Sequence, residues 1–288
     1  MLTFYWCVLV SKMTVTLHNL NLICPKCGSN DLKLDSFNED ARCGRCDTIF
    51  PFDQGFLDLL SEESPGMLPV SNPMKWSLLV KLYNSRLWRR SFWMRSFFGI
   101  SFAKEFETIA DAADLQGNDT LLDLACGPGT YSLPLARRLE KGFVVGIDLS
   151  KPMLKYAGKK AGEEKQNNIL FIHANVRNLP FSDCEFDVVN CCGALHLFID
   201  FLPDLLSKIN QVLKPGGRFT LAAGHTPTGR IGRKIASYRA RKTGLKFFTP
   251  DELEVYLKEA GFSDISCHHA KRYWLIMSAV KSMPMNLT

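Results

Sequence analysis

An α/β fold is what the sequence predicts: a parallel sheet with helices on its faces, preceded by a small metal-held head. Three observations carry that expectation. From Thr120 onward, apolar strands alternate with helical stretches, the pattern of a parallel sheet covered on both sides. The first of those strands, Thr120-Leu121-Leu122-Asp123-Leu124, breaks into the turn Ala125-Cys126-Gly127-Pro128-Gly129, and Asp148 closes the next apolar run. Upstream, four cysteines are spaced C-x2-C-x15-C-x2-C.

Taken in order, residues 1–20 read as a tail. Met1 to Val10 are apolar but lack a basic leader and a small-residue cleavage site, so they make a poor secretory signal. Met13 is a competing start. Residues 21–60 form the head, with Cys24, Cys27, Cys43 and Cys46 at zinc spacing. Each C-x2-C turn presents two thiolates, and two turns complete a tetrahedron with no open position, which implies a structural ion. A unit of about forty residues buries too little apolar surface to fold alone, so metal would supply much of its stability. Two disulfides are the competing reading. Ten cysteines in a chain without a secretory leader favour reduced thiols and a cytoplasmic setting instead.

Residues 61–105 read as linker and helix. Pro65, Gly66, Pro69 and Pro73 punctuate the linker, and a basic, aromatic helix from Met74 to Phe98 leads into a second helix from Phe102 to Ala113. Strands are then expected near 120–125, 143–148, 169–174, 186–191 and 217–223, with helices near 130–140, 151–162 and 201–212. Thr249-Pro250-Asp251-Glu252 starts a capped helix that Gly261 ends. Two last strands, near 263–269 and 272–280, add an antiparallel edge.

Apolar (46%) and charged (22%) contents suit a soluble globular chain. The net charge of +6 permits RNA or an anionic membrane surface as partner without requiring either. No apolar run approaches the ~18–20 residues of a spanning helix.

The glycine turn and the following acid form a Rossmann-like nucleoside site, in which glycines admit the ligand and the acid accepts ribose hydroxyls. A dinucleotide fingerprint would put its third glycine at position 132, which is Ser132. The pattern therefore predicts S-adenosylmethionine, which has no pyrophosphate to cradle. Asp123 is placed to hold the methionine ammonium, with Gly127 and Gly129 passing beneath the ligand. Asp148 meets the ribose, and Asn175 the adenine amino group. Ala125, Leu149, Val176 and Cys191, at the strand ends, complete the candidate cofactor set. His196, just beyond the fourth strand, is the candidate general base. Its competing role is to cap the next helix or line the adenine pocket.

On these residues, 106–281 resemble a class I S-adenosylmethionine-dependent methyltransferase of the ubiquinone and menaquinone biosynthesis type. Leu122-Asp123-Leu124-Ala125-Cys126-Gly127-Pro128-Gly129-Thr130-Tyr131, Asp148, Leu179-Pro180-Phe181 and Leu213-Lys214-Pro215-Gly216-Gly217 carry the likeness. It implies a seven-stranded sheet with a reversed last hairpin, and a transferase domain over 106–282. Where the family often has Asp then Ala at the adenine position, this chain has Asn175-Val176. The cysteine head, Gly55-Phe56-Leu57-Asp58-Leu59 and Leu87-Trp88-Arg89-Arg90-Ser91-Phe92 extend the resemblance to the zinc-ribbon methyltransferases of cyanobacteria and plastids.

The implied acceptor is a small, apolar or lipid-like molecule such as a quinone. An RNA base is the second class, because some ribosomal RNA guanine methyltransferases also carry a zinc module ahead of this fold. A non-catalytic scaffold is the third, and the intact Asp123, Gly127, Gly129 and Asp148 speak against it. Basic residues around Arg86–Phe98 and Arg230–Lys246 read as a solvated face, a peripheral membrane contact or an RNA track.

Overall fold

The structure, a computed structural model, describes residues 20–34, 40–60, 92–227, 229–243 and 246–283. The expected start region, the linker at 61–73 and the basic helix as far as Ser91 lie outside the described residues. In chain order the strands are β1 (Leu32–Leu34), β2 (Ala41–Cys43), β3 (Ile49–Phe50), β4 (Phe52–Asp53) and β5 (Phe56–Asp58). Helices α1 (Phe92–Phe98) and α2 (Phe102–Ala113) follow, then β6 (Thr120–Leu124), α3 (Ser132–Ala136), β7 (Phe143–Asp148), α4 (Lys151–Glu163) and β8 (Ile169–His173). The rest is β9 (Phe186–Cys192), α5 (Leu202–Val212), β10 (Leu213–Gly224), α6 (Arg230–Thr243), α7 (Pro250–Glu259), β11 (Phe262–Lys271) and β12 (Trp274–Lys281).

The chain divides into two compact units, Met1–Lys81 with Gly117–Glu185 and Leu82–Gln116 with Phe186–Thr288. In the first, β6, β7, β8 and β5 are parallel neighbours in that order, and β4 closes the edge antiparallel to β5. Every residue of β8, and every residue of β7 but Asp148, is buried. Burial on both faces is why these strands read as unbroken apolar runs. Helix α4 buries Leu154, Ala157 and Ala161, one face at helical spacing, against them.

The β4–β5 hairpin was not expected from sequence. Its two turn residues, Gln54 and Gly55, have φ of 54° and 87°, the pair of positive angles that lets a two-residue turn follow strand twist. Gly55 lies against Gly158 of α4: a Cβ on Gly158 would stand 2.6 Å from the Gly55 carbonyl oxygen. Exposed helical glycines gain stability when changed to alanine. Gly158→Ala is expected to do the reverse, costing about 1–3 kcal/mol by overpacking, as measured by urea unfolding. A more stable variant would refute the close contact.

In the second unit β9 and β10 run parallel, β12 is antiparallel to β10, and β11 is antiparallel to β12. The reversed terminal hairpin is thus present. Helix α7 begins with a full capping box: Glu252 N–H donates to Thr249 Oγ1 at 3.2 Å and Thr249 N–H to Glu252 Oε2 at 2.9 Å. Strand β10 starts four residues earlier than sequence predicts. Leu213 pairs with Phe186, then the register slips before Arg218 meets Val188. Pro215, which has no N–H, and Gly216 at φ 72° supply that bulge. The helix expected over 130–140 is only Ser132–Ala136, and its end tightens into three-residue bonds from Arg138 N–H to Leu135 O and Leu139 N–H to Ala136 O.

Candidate active site

In the first unit the C-terminal ends of β6, β7 and β8 converge, the edge at which open parallel sheets bind ligands. Ala125, Gly127 and Gly129 have φ of 53°, 55° and 75°. Three left-handed residues at alternate positions coil the turn tightly. Its amides are already bonded: Cys126 N–H to Ile147 O (3.0 Å), Gly127 N–H to Asp148 Oδ2 (2.8 Å) and Gly129 N–H to Cys126 O (3.1 Å). Those N–H groups are the ones a pyrophosphate would need, so this turn suits a ligand without phosphate.

Asp148 ties the edge together. Its Oδ2 takes the Gly127 N–H and its Oδ1 the Ser150 N–H at 2.7 Å. Burial pushes its carboxyl above the usual range, and the bonds from Ser150 and Gly127 pull against that shift. The Leu149 amide also faces this carboxylate, and the acceptor capacity it has left is open to a ligand hydroxyl. Asp123 is buried at the end of β6 and accepts the Ser132 hydroxyl. The residue that breaks the dinucleotide pattern is therefore the partner of the first acid.

Leu149 follows Asp148, and its carbonyl accepts His173 Nε2 at 3.1 Å. Asn175 and Val176, just past β8, are buried. Asn175 Oδ1 accepts Arg177 N–H at 2.9 Å, an Asx turn that fixes the side chain and leaves one lone pair on that oxygen.

Cys191 and His196 belong to the second unit. Cys191 is fully buried in β9, in register with Leu221 of β10. His196 sits in a 3-10 turn after β9, edge-on to Trp274 with ring centroids 6.5 Å apart. Trp274 Nε1 donates to the buried Glu105 at 2.9 Å. His196 Nδ1 is buried with no hydrogen-bond partner among the described residues, and burial lowers its pKa to about 4. His225 is different: Nδ1 donates to Arg272 O at 3.0 Å, which pins the β11–β12 turn. It lines a cavity of about 380 Å³ together with Gly99, Pro227, Ala270, Lys271 and Arg272.

Residues 121–217 match the methyltransferase domain family. The chain is 34% identical to a demethylmenaquinone methyltransferase from Shouchella clausii over 175 residues, 53% of this chain and 74% of that protein. The chain belongs to the class I S-adenosylmethionine-dependent methyltransferases. A 2-phytyl-1,4-naphthoquinone methyltransferase from Nostoc is 38% identical over 122 residues, 42% of this chain and 53% of that relative. Among solved structures, a phosphoethanolamine N-methyltransferase from Haemonchus contortus in complex with S-adenosyl-L-methionine superposes with a TM-score of 0.58 at 17% identity. It covers 76% of this chain and 61% of that one. At such low identity it supports the Rossmann-like fold alone.

The methyltransferase also carries the four-cysteine head. The Sγ atoms of Cys24, Cys27, Cys43 and Cys46 all lie within 4.8 Å of one another. Cys24 and Cys46 are 3.7 Å apart, Cys27 and Cys43 3.5 Å. Tetrahedral zinc with bonds of about 2.3 Å sets sulfurs about 3.8 Å apart, so the cluster fits that ion. The Thr48 hydroxyl stands 3.2 Å from Cys46 Sγ.

Sequence reasoning missed two contributors to this edge, Ser150 and the pair Asp58–His173. The motif Gly55-Phe56-Leu57-Asp58-Leu59 was the available signal for Asp58. Nothing local marked its partner.

Proposed function

We propose that the enzyme methylates a small aromatic acceptor of quinone type. The observation that carries this reading is the 34% identity to a demethylmenaquinone methyltransferase across 74% of that protein; the naphthoquinone relative supports it. S-adenosylmethionine, when bound, supplies a methyl group on a positively charged sulfur, so the protein has mainly to align the reactants.

In this reading residues 106–282 form the transferase and 21–60 the zinc ribbon, whose ion is structural. Asp148 accepts the ribose hydroxyls through its remaining lone pairs. Asp123, steadied by Ser132, holds the ligand ammonium. Ala125, Gly127 and Gly129 form the floor, Leu149, Asn175 and Val176 border the adenine, and Cys191 is the second unit's candidate for the cofactor. His196, neutral and with a buried nitrogen lacking a partner, takes the proton from an acceptor hydroxyl or acidic carbon. The cavity beside His225 has room for a small aromatic molecule. An apolar acceptor also argues for peripheral contact with a membrane; no helix among the described residues is long and apolar enough to cross one.

Incubation with methyl-labelled cofactor and a short-tailed demethylated naphthoquinol is expected to give one added methyl by mass spectrometry. A second reading, methylation of an RNA base, is favoured by α6. Arg230, Arg233, Lys234 and Arg241 are exposed at helical spacing on one face, beside Tyr238 at 55% exposure. Ribosomal RNA offered in the same assay decides: label in RNA and none in the quinol reverses the assignment.

A further inference from the structure

Candidates outside the assigned site are the cationic face of α6, the cavity at His225 and the seam between the cysteine head and the parallel sheet. The seam carries the argument furthest, because every contact in it lies within the first unit.

Segment 173–181 holds the two adenine-side candidates, Asn175 and Val176, and the N-terminal region grips it at both ends. At its start β5 pairs with β8, setting Asp58 beside His173, and Leu59 N–H donates to His173 O at 3.1 Å. Asp58 Oδ1 is 2.6 Å from His173 Nδ1, while Lys151 Nζ meets Asp58 Oδ2 at 2.7 Å. His173 Nε2 reaches the Leu149 carbonyl at 3.1 Å. The ring therefore stands between the Asp58 carboxylate and the Leu149 carbonyl, within hydrogen-bond distance of both. Asp58 is thereby linked through one ring to the loop that follows the ribose acid.

At the other end of the segment, Ile23 N–H donates to Pro180 O at 2.9 Å and Ser182 N–H to Asn21 O at 3.1 Å. Leu22 bridges Phe181 and also Leu32 of β1, inside the head. Asn21 adds Nδ2 to Glu185 Oε2 at 3.0 Å. Leu22, Leu57, Leu59 and Phe181 are all buried along this seam. Cys24 follows Ile23 directly, so the segment that grips Pro180 runs straight into the metal cluster.

We propose that the metal head braces the adenine side of the cofactor pocket, so that zinc loading and cofactor binding are thermodynamically linked through Asp58, His173 and the 21–23 segment. This rests on the reading that the edge at Gly127 and Asp148 takes S-adenosylmethionine. Zinc orders the head, the head holds segment 173–181 and the Leu149 loop, and a ligand bound there stabilises the same contacts. Linkage makes the effect reciprocal: zinc tightens the cofactor, and the cofactor tightens zinc by the same factor.

The test uses the full chain and S-adenosylhomocysteine as probe, by calorimetry. Zinc-loaded protein is expected to bind at least about fivefold more tightly than chelator-stripped protein, the lower end of usual coupling. Competition with a chelator should show zinc held more tightly by the same factor when the probe is saturating. Stripping could unfold the head outright, so Asp58→Asn is measured with zinc retained. Its expected signature is a raised KM for the cofactor at unchanged kcat, unchanged zinc content and faster amide exchange across 173–181. Equal probe affinity in zinc-loaded wild type and Asp58→Asn overturns the brace and leaves the cofactor assignment standing. Failure of zinc-loaded wild type to bind the probe at all overturns that assignment and the brace with it.

Discussion

His196→Gln is expected to lower kcat by about 10²–10⁴-fold, the range a positioned general base supplies, while S-adenosylhomocysteine binds as before. The expectation follows from one buried nitrogen. His196 Nδ1 has no partner among the described residues, and a native fold meets such an atom with a ligand or an ordered water. Burial lowers the histidine from 6.5 to about 4, so the neutral base is present throughout the physiological range. The acid limb of kcat/KM should accordingly fall near pH 4 rather than near pH 6.5. The stability sign follows from the same shift. Between about pH 6.5 and about pH 4 the unfolded chain binds a proton here that the folded chain refuses, so this group makes stability decline as pH falls through that window. Above it the contribution is flat. A variant that keeps its kcat within a few-fold would reduce His196 to packing against Trp274 and send the search for a base to His225.

What could be read from the chain were features whose geometry follows from local spacing. A C-x2-C turn places two sulfurs on one ion wherever it occurs, and the four thiols do converge. Buried parallel strands have apolar residues on both faces, so β7 and β8 appear as apolar runs that a polar residue closes only at the end. Gly127 and Gly129 announce left-handed backbone, whereas Ala125 takes the same conformation with nothing in its side chain to signal it. Pairings across long separations could not be read. Asp58 and His173 stand 115 residues apart, joined by a three-residue strand too short to carry a period. Helix α6 was seen only as a basic run, since six cations in fourteen residues leave few apolar positions to mark a helical stripe. The missing partner of His196 is likewise a property of its neighbours in space, not of its neighbours in sequence.

Asp148→Ala carries the other large effect: S-adenosylhomocysteine affinity is expected to fall by at least about a hundredfold. Two ribose hydroxyls donating to a carboxylate are each worth about 1.5–3 kcal/mol, and about 2.8 kcal/mol is already a factor of a hundred. The substitution also strips the Gly127 and Ser150 amides of their acceptors, loosening the turn that forms the floor. Acid titration separates the two roles of this carboxylate. Burial raises its pKa in the folded protein, so on acidification the folded chain takes up that proton before the unfolded chain does. For this group, falling pH through that range favours the folded state, yet protonation removes an acceptor from the ribose. Stability and cofactor affinity should therefore move in opposite directions as pH falls, seen by comparing melting curves with probe titrations in wild type and Asp148→Ala. The variant should lack the opposed trend. If wild type and variant bind the probe equally at neutral pH, Asp148 serves the turn alone and the sugar is held elsewhere.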